Sequence, residues 1–322
     1  MAYNWLEMHI IPAIITYSLS FIALLVGSLT DLKTREVPDW VNYGLIIGGI
    51  GLNLLFSVVY SDQFIIAKDI TFNNQVVHQY IISGQSYLMK SLVGLVIFFG
   101  IAYIMFYAGQ WGGGDSKMVM GLGAMIGIDM SFKAPQFLFW FFLNALFVGA
   151  LYGLLWSIFL VFKNKQKFLK KFKTISSEKR VVQARRLMLV VLIFLLLSII
   201  FIEPFYSRIL ILSLALIILV TYHMWIFAKA IEKSCMHKLV EPSKLTEGDW
   251  IVNDIHVDGK YITGPKELGV SKSQIRKLVQ FYQRKKIKKI LIKEGIPFVP
   301  SFLIAFIVTF TFGNPLMLLV RV

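Results

Sequence analysis

The chain has 322 residues, of which 57% are apolar and only 16% charged, with a mean hydropathy of +0.69; a soluble domain carries about 25% charged residues, so a water-soluble globule is excluded. One cysteine rules out an internal disulfide framework and a cysteine-only zinc site, and five histidines without ligand spacing give no support to a metal or other cofactor. The net charge of +15, from 33 Lys and Arg against 18 Asp and Glu, points either to nucleic acid or to loops at a membrane surface, and the positions of the charges decide between them.

A hydrocarbon core about 30 Å thick needs roughly 20 helical residues. Eight nearly uncharged stretches approach that length, at about 10–30, 41–60, 88–108, 117–130, 136–162, 187–202, 206–228 and 298–320. The pattern predicts an α-helical polytopic membrane protein with about eight transmembrane helices and a small cytoplasmic α+β insertion. The first stretch has no charge between His9 and Asp31 and no basic residue before it, so it reads as a permanent helix, not a cleaved leader. The fourth is short for a full crossing.

Basic residues set the orientation. Residues 163–186 carry ten Lys and Arg with one Glu, whereas 61–87 carry one Lys and two Asp. A cytoplasmic 163–186 loop places the amino terminus outside, and places Lys33, Arg35, the 109–116 turn and the 229–297 block inside. With the 15 basic residues of 229–297, this accounts for 27 of the 33, which is the positive-inside pattern. It assigns the charge to anionic lipid headgroups and excludes nucleic acid as a partner. The expected division is a membrane core over 1–162, a basic loop over 163–186, two further spans over 187–228, a cytoplasmic domain over 229–297 and a last span over 298–322.

Within 229–297, DWIVNDIHV, the turn Asp258-Gly259 and KYITG predict a β-hairpin. Ser271 with Gln274 three residues on predicts a capping box opening a helix that runs to about Lys286, and KKILIKE predicts a further strand. A unit of about 60 residues is near the lower limit for an independent core.

Ionisable residues at the edge of a span are functional candidates by default. Asp31 ends the first span in SLTDLKTREVPDW, and Asp115 follows Gly112, Gly113 and Gly114 in GQWGGGDSKMVMGLGAMIG. Both fall on the cytoplasmic side of the deduced topology, although neither entered the count that set it. Two carboxylates within about 3 Å cannot both ionise, so one can take a proton from water while the other hydrogen-bonds the carbonyl under attack. Paired in this way they would hydrolyse a peptide bond. The glycines permit close approach of a peptide backbone. Structural readings stand beside these: Asp115 or Ser116 as N-cap of the fourth helix, Asp31 paired with Lys33 or Arg35, and Asp39 as N-cap of the second span. Lys117 opposes the helix dipole, which favours a role beside Asp115. Asp129 and Glu203 fall on the opposite side and are excluded.

GGGDSKMVMGLGAMIG resembles the GxGD segment of type IV prepilin peptidases and archaeal preflagellin peptidases, and TDLKTREVPDW resembles their other aspartate motif, with matching order and spacing. The resemblance covers about residues 10–160. It implies a membrane aspartyl endopeptidase without a cofactor, with Asp31 and Asp115 catalytic, Gly112 and Gly114 as the glycines of GxGD, and Gly113 and Lys117 in support. Its substrates would be prepilin or preflagellin precursors, whose short basic leader is cut at the cytoplasmic membrane face. The remainder, including LTEGDW and KEGIPFVPSFL, resembles the carboxy-terminal region of archaeal members. Bacterial members carry a tetracysteine zinc-binding loop; this chain has only Cys235, which implies a protease without N-methyltransferase activity. The alternatives are a transporter or ion pathway using the same aspartates and a noncatalytic pilus-assembly scaffold.

Overall fold

In the structure, a computed structural model, the backbone is described over residues 3–60, 64–72, 75–83, 86–130 and 136–313, and the side chains over 10–60, 86–130 and 136–313. The chain divides into two compact units, Met1–Gly153 with Ile296–Val322, and Leu154–Gly295.

The first unit contains α1 (Tyr3–Thr34), α2 (Asp39–Val59), a hairpin of β1 (Phe64–Phe72) and β2 (Gln75–Ser83), α3 (Tyr87–Tyr107), α4 (Gly113–Ile126), the first part of α5 (Phe137–Lys163), and α10 (Val299–Phe312). The antiparallel hairpin pairs Phe64 with Ser83 through Phe72 with Gln75 and was not expected from the sequence. Apolar composition makes α1, α2, α3 and α5 long enough to span a bilayer. Their outward faces carry exposed Ile, Leu and Phe, as a lipid-facing surface requires.

α4 is different. Its 14 residues rise about 21 Å, less than the hydrocarbon thickness, and it is surrounded by α1, α2 and α3. Small residues let these helices approach closely. A Cβ on Gly123 would come within 2.5 Å of the Gly94 carbonyl oxygen, and one on Gly49 within 2.7 Å of the Met125 nitrogen. A helix ending inside a bundle must have its terminal carbonyls satisfied by protein. Ser91 Oγ donates to the Ala124 carbonyl at 2.6 Å, and Asn53 Nδ2 donates to the Met125 and Ala124 carbonyls at 3.1 and 3.3 Å. Leu24, Leu45, Phe98, Trp111, Met118 and Phe302 belong to the surrounding apolar core.

The second unit contains α6 (Lys165–Ser176), α7 (Lys179–Ser198), α8 (Phe205–Ile231), β3 (His237–Val240), β4 (Trp250–Ile251), β5 (Ile255–Val257), β6 (Lys260–Thr263), α9 (Lys272–Gln283) and β7 (Ile290–Lys293). β7 is the middle strand of an antiparallel sheet of order β3-β7-β4, and β5 pairs with β6 around Asp258-Gly259, both with positive φ. Ser271 and Gln274 form the capping box that opens α9, with Ser271 Oγ accepting from Gln274 N–H at 3.3 Å and Gln274 Oε1 accepting from Ser271 N–H at 2.8 Å. Leu245, Ile251, Val270, Leu278, Ile290 and Ile292 fill the small core.

Two expectations change. Among the described residues six helices are long and apolar enough to cross a membrane, not eight: α4 ends at Ile126, and α10 is a shorter apolar helix of Val299–Phe312. The remainder of the expected 298–320 span, from 314 on, lies outside the described residues. The basic 163–186 segment is not an open loop. Phe168, Phe172 and Ile175 form one stripe of α6 that packs with Val181 of α7 and Ile226, Ala230 and Ile231 of α8, which folds the segment while its lysines face outward.

Candidate active site

α1 is carried past Asp31 to Thr34, and Arg35, with φ 64°, turns the chain toward Pro38 and α2. Asp31 lies in the last turns of α1 and is 6% exposed. Its Oδ2 accepts the backbone N–H of Val299, the first residue of α10, at 3.0 Å. A buried carboxylate needs such donors in place of water.

Asp115 occupies the third position of α4, after the N-cap Gly112, and its Oδ2 accepts the Gly112 N–H at 2.8 Å. The carboxylate thus satisfies one of the orphan donors at the start of its own helix. Asp115 is therefore not the N-cap; neither is Asp39, whose preceding residue Pro38 takes that position in α2.

The helices that carry the two acids meet one turn away from each. Gly27, one turn before Asp31, faces Met118, one turn after Asp115: a Cβ on Gly27 would lie 2.6 Å from Met118 Cε and 3.3 Å from Val299 Cγ1. Asp115 lies within electrostatic reach of Asp31. A pair of carboxylates in a partly desolvated setting can hold one shared proton, and so offers an acid and a base side by side.

The three glycines differ. Gly114 abuts Val37, whose Cβ and Cγ2 would be 3.4 Å from an added Cβ; Gly112 faces Asp115 Oδ2 at 3.3 Å; Gly113 has nothing within 4 Å. Gly112 and Gly113 are exposed, so backbone lies open immediately beside a carboxylate. Lys117 points to α2, where Nζ bonds Asp39 Oδ1 at 2.8 Å and sits 4.9 Å from the Tyr43 ring centroid. This links the first turns of α2 and α4. Asp129 pairs with Lys90 at 3.5 Å near the other end of α4. Among the described residues no cluster of three or more His, Cys, Asp or Glu could hold a metal ion.

Sequence reasoning missed Val299, whose side chain carries no polar signal because its backbone makes the contact. It also missed Trp111, 3% exposed, which packs edge-on against Phe302 at 5.2 Å, and Tyr152 of α5, within electrostatic reach of Asp31. Asn42, one turn along α2 from Asp39, is 1% exposed, and its amide has no hydrogen-bond partner among the described residues.

Residues 18–154 match the type IV leader peptidase family, a segment that contains both aspartates and the glycines. Relatives include a preflagellin peptidase of Methanocaldococcus jannaschii, 32% identical over 112 residues, which cover 35% of this chain and 38% of the relative. Another, from Methanococcus voltae, is 28% identical over 174 residues, covering 49% and 64%, and one from Methanococcus maripaludis is 31% identical over 112 residues, covering 35% and 39%. The chain thus spans from about two fifths to just under two thirds of the length of these relatives. Through residues 18–154, the chain is similar to the type IV leader peptidase family.

Proposed function

We propose that the protein is a membrane aspartyl endopeptidase that removes the short basic leader of preflagellin or prepilin-like precursors, with Asp31 and Asp115 as its catalytic pair. The observation that carries this reading is the placement of two acids, from helices far apart in sequence, within electrostatic reach of each other beside open glycine backbone. The family match and the preflagellin peptidase relatives support the substrate class.

In the proposed reaction water lies between the carboxylates. The ionised member takes a proton as the water oxygen attacks the scissile carbonyl carbon, and the protonated member hydrogen-bonds the carbonyl oxygen. Collapse of the tetrahedral adduct breaks the C–N bond, the leaving nitrogen takes a proton, and the pair returns to its singly protonated state. The proton belongs to the pair, so base and acid are not assigned individually. Gly112 and Gly113 would accept an extended peptide, since no side chain blocks their backbone, and Lys117 would fix the start of α4 against α2.

A leader rich in Lys and Arg is retained on the cytoplasmic side. The scissile bond ahead of the hydrophobic helix then lies at the cytoplasmic interface, where we place the active site, with the amino terminus outside. The lysines of α6 would meet anionic headgroups. The single cysteine supports cleavage without subsequent amino-terminal methylation.

The test is cleavage of a preflagellin-like precursor by purified protein in detergent, comparing wild type with Asp31→Asn and Asp115→Asn. Both variants should fold and release no leader. Cleavage at the wild-type rate by either folded variant would refute the pair, and ion-dependent uptake in vesicles without product would identify a transporter instead.

A further inference from the structure

We infer that the first turn of α10, residues 298–302, is a positioning element that holds both aspartates of the pair in register, although it lies outside the segment that matches the family. The inference rests on the proteolytic reading and adds a component to it.

Three contacts converge on this turn. Val299 N–H donates to Asp31 Oδ2 at 3.0 Å. The first N–H groups of a helix have no partner within it, so Asp31 supplies an acceptor that α10 needs, and α10 fixes the plane of the carboxylate. Val299 Cγ1 reaches Gly27 beside Met118, the point where α1 meets α4. One turn further, Phe302, fully buried, meets Trp111 at 5.2 Å and 81°. Trp111 is the residue before Gly112, whose N–H holds Asp115.

The same turn therefore holds one carboxylate through its backbone and the loop of the other through an aromatic contact. It is itself anchored. Phe298 packs on Phe302 at 5.3 Å and against Gly149 of α5, where an added Cβ would come within 2.5 Å of Phe298 Cζ. Pro300 in the first turn favours helix initiation at this point. Without the turn α1 and α4 would still meet at Gly27 and Met118, but Asp31 would lose its Val299 donor and the Trp111–Gly112 loop its Phe302 support, and a displacement of about 1 Å at a reacting group can cost about a hundredfold in rate.

The test separates the backbone donor from the packing. Val299→Ala keeps the N–H and trims the side chain; Val299→Pro removes the N–H at a helix position that tolerates proline. Phe298 has helical φ and ψ, which the residue before a proline disfavours. A third form therefore replaces Val299 with α-hydroxyvaline, exchanging only the N–H for an ester oxygen. Single-substrate kinetics on a preflagellin-like precursor should show kcat reduced by about 10- to 100-fold in the ester form, with KM within about twofold, and a smaller loss of kcat in Val299→Ala, which keeps the N–H and loses only the Cγ1 contact at Gly27. Phe302→Leu, which retains apolar volume but loses the ring contact with Trp111, should also lower kcat more than it raises KM. An ester form with wild-type kcat overturns the inference, as does a loss confined to KM. Asp31→Asn and Asp115→Asn in the same assay keep the two readings apart. If these variants cleave, the proteolytic pair fails; if they are inactive while the ester form is fully active, only the positioning role fails.

Discussion

Asn53→Leu should loosen the carboxyl end of α4, and its magnitude follows from which carbonyls depend on that side chain. The Ala124 carbonyl is held twice, by Ser91 Oγ at 2.6 Å and Asn53 Nδ2 at 3.3 Å, whereas the Met125 carbonyl has its side-chain donor in Asn53 at 3.1 Å. Leucine has a similar volume, so the change mainly removes donors. Leaving a buried acceptor unpaired costs about 1–3 kcal/mol, and inter-helix hydrogen bonds in membranes average about 0.6 kcal/mol, so a loss of about 1–2 kcal/mol is expected. Ser91→Ala should cost less, because Asn53 still serves Ala124. In the double variant both carbonyls are orphaned, and the loss should exceed the sum of the single ones by about 0.5–1 kcal/mol, the signature of a shared partner. Reversible unfolding in mixed micelles, followed by tryptophan fluorescence, measures all three. Strict additivity, or a neutral Asn53→Leu, would refute the view that side-chain donors secure this short helix.

Gly94→Val should unfold or severely destabilise the first unit, because the backbone of α4 at Gly123 already occupies the space of a Cβ. Gly113→Ala has open space and should leave the unfolding midpoint unchanged while raising KM, which kinetics beside a thermal melt will resolve. In the second unit, Lys229 and then Lys233 hold the Glu178 carboxyl below its ordinary value of 4.5. Its folded-state pKa is depressed, so its stabilising contribution is complete above about pH 4.5 and is lost as pH falls through the lower, folded value. A pH series of melts should show that acid sensitivity reduced in Glu178→Gln; an unchanged acid limb would remove the pair from the account.

The sequence made long helices legible where hydropathy and length agreed. The limits of α2, α3, α5 and α8 fall within about three residues of the stretches read from it. Turn and cap chemistry was equally readable, at Asp258-Gly259 and at Ser271 with Gln274, because a left-handed turn and an orphan N–H each demand particular side chains. The shortness of α4 was readable, but its closure was not, because a hydropathy window counts apolar residues and cannot see that Asn53 and Ser91 cap the helix from other elements. α6 hid behind its lysines, since its stripe of Phe168, Phe172 and Ile175 is sparse.

At the candidate site, Asp31, Asp115 and the glycines could be singled out because charge and a glycine run are rare at span edges. Val299 could not: its contribution is a backbone N–H that any residue except proline carries, and only the fold brings it to a residue 268 positions away. Trp111 read as ordinary interface aromatic content for the same reason, because its partner Phe302 lies on a distant helix.

The most direct test of the central claim is the pH dependence of kcat for leader cleavage by the wild-type protein. Two carboxylates sharing one proton are competent only while the pair is singly protonated, so the account predicts a bell with one acid and one alkaline limb, both set by the pair. A rate that rises to a plateau with a single ionisation, with the protein folded throughout, would contradict it.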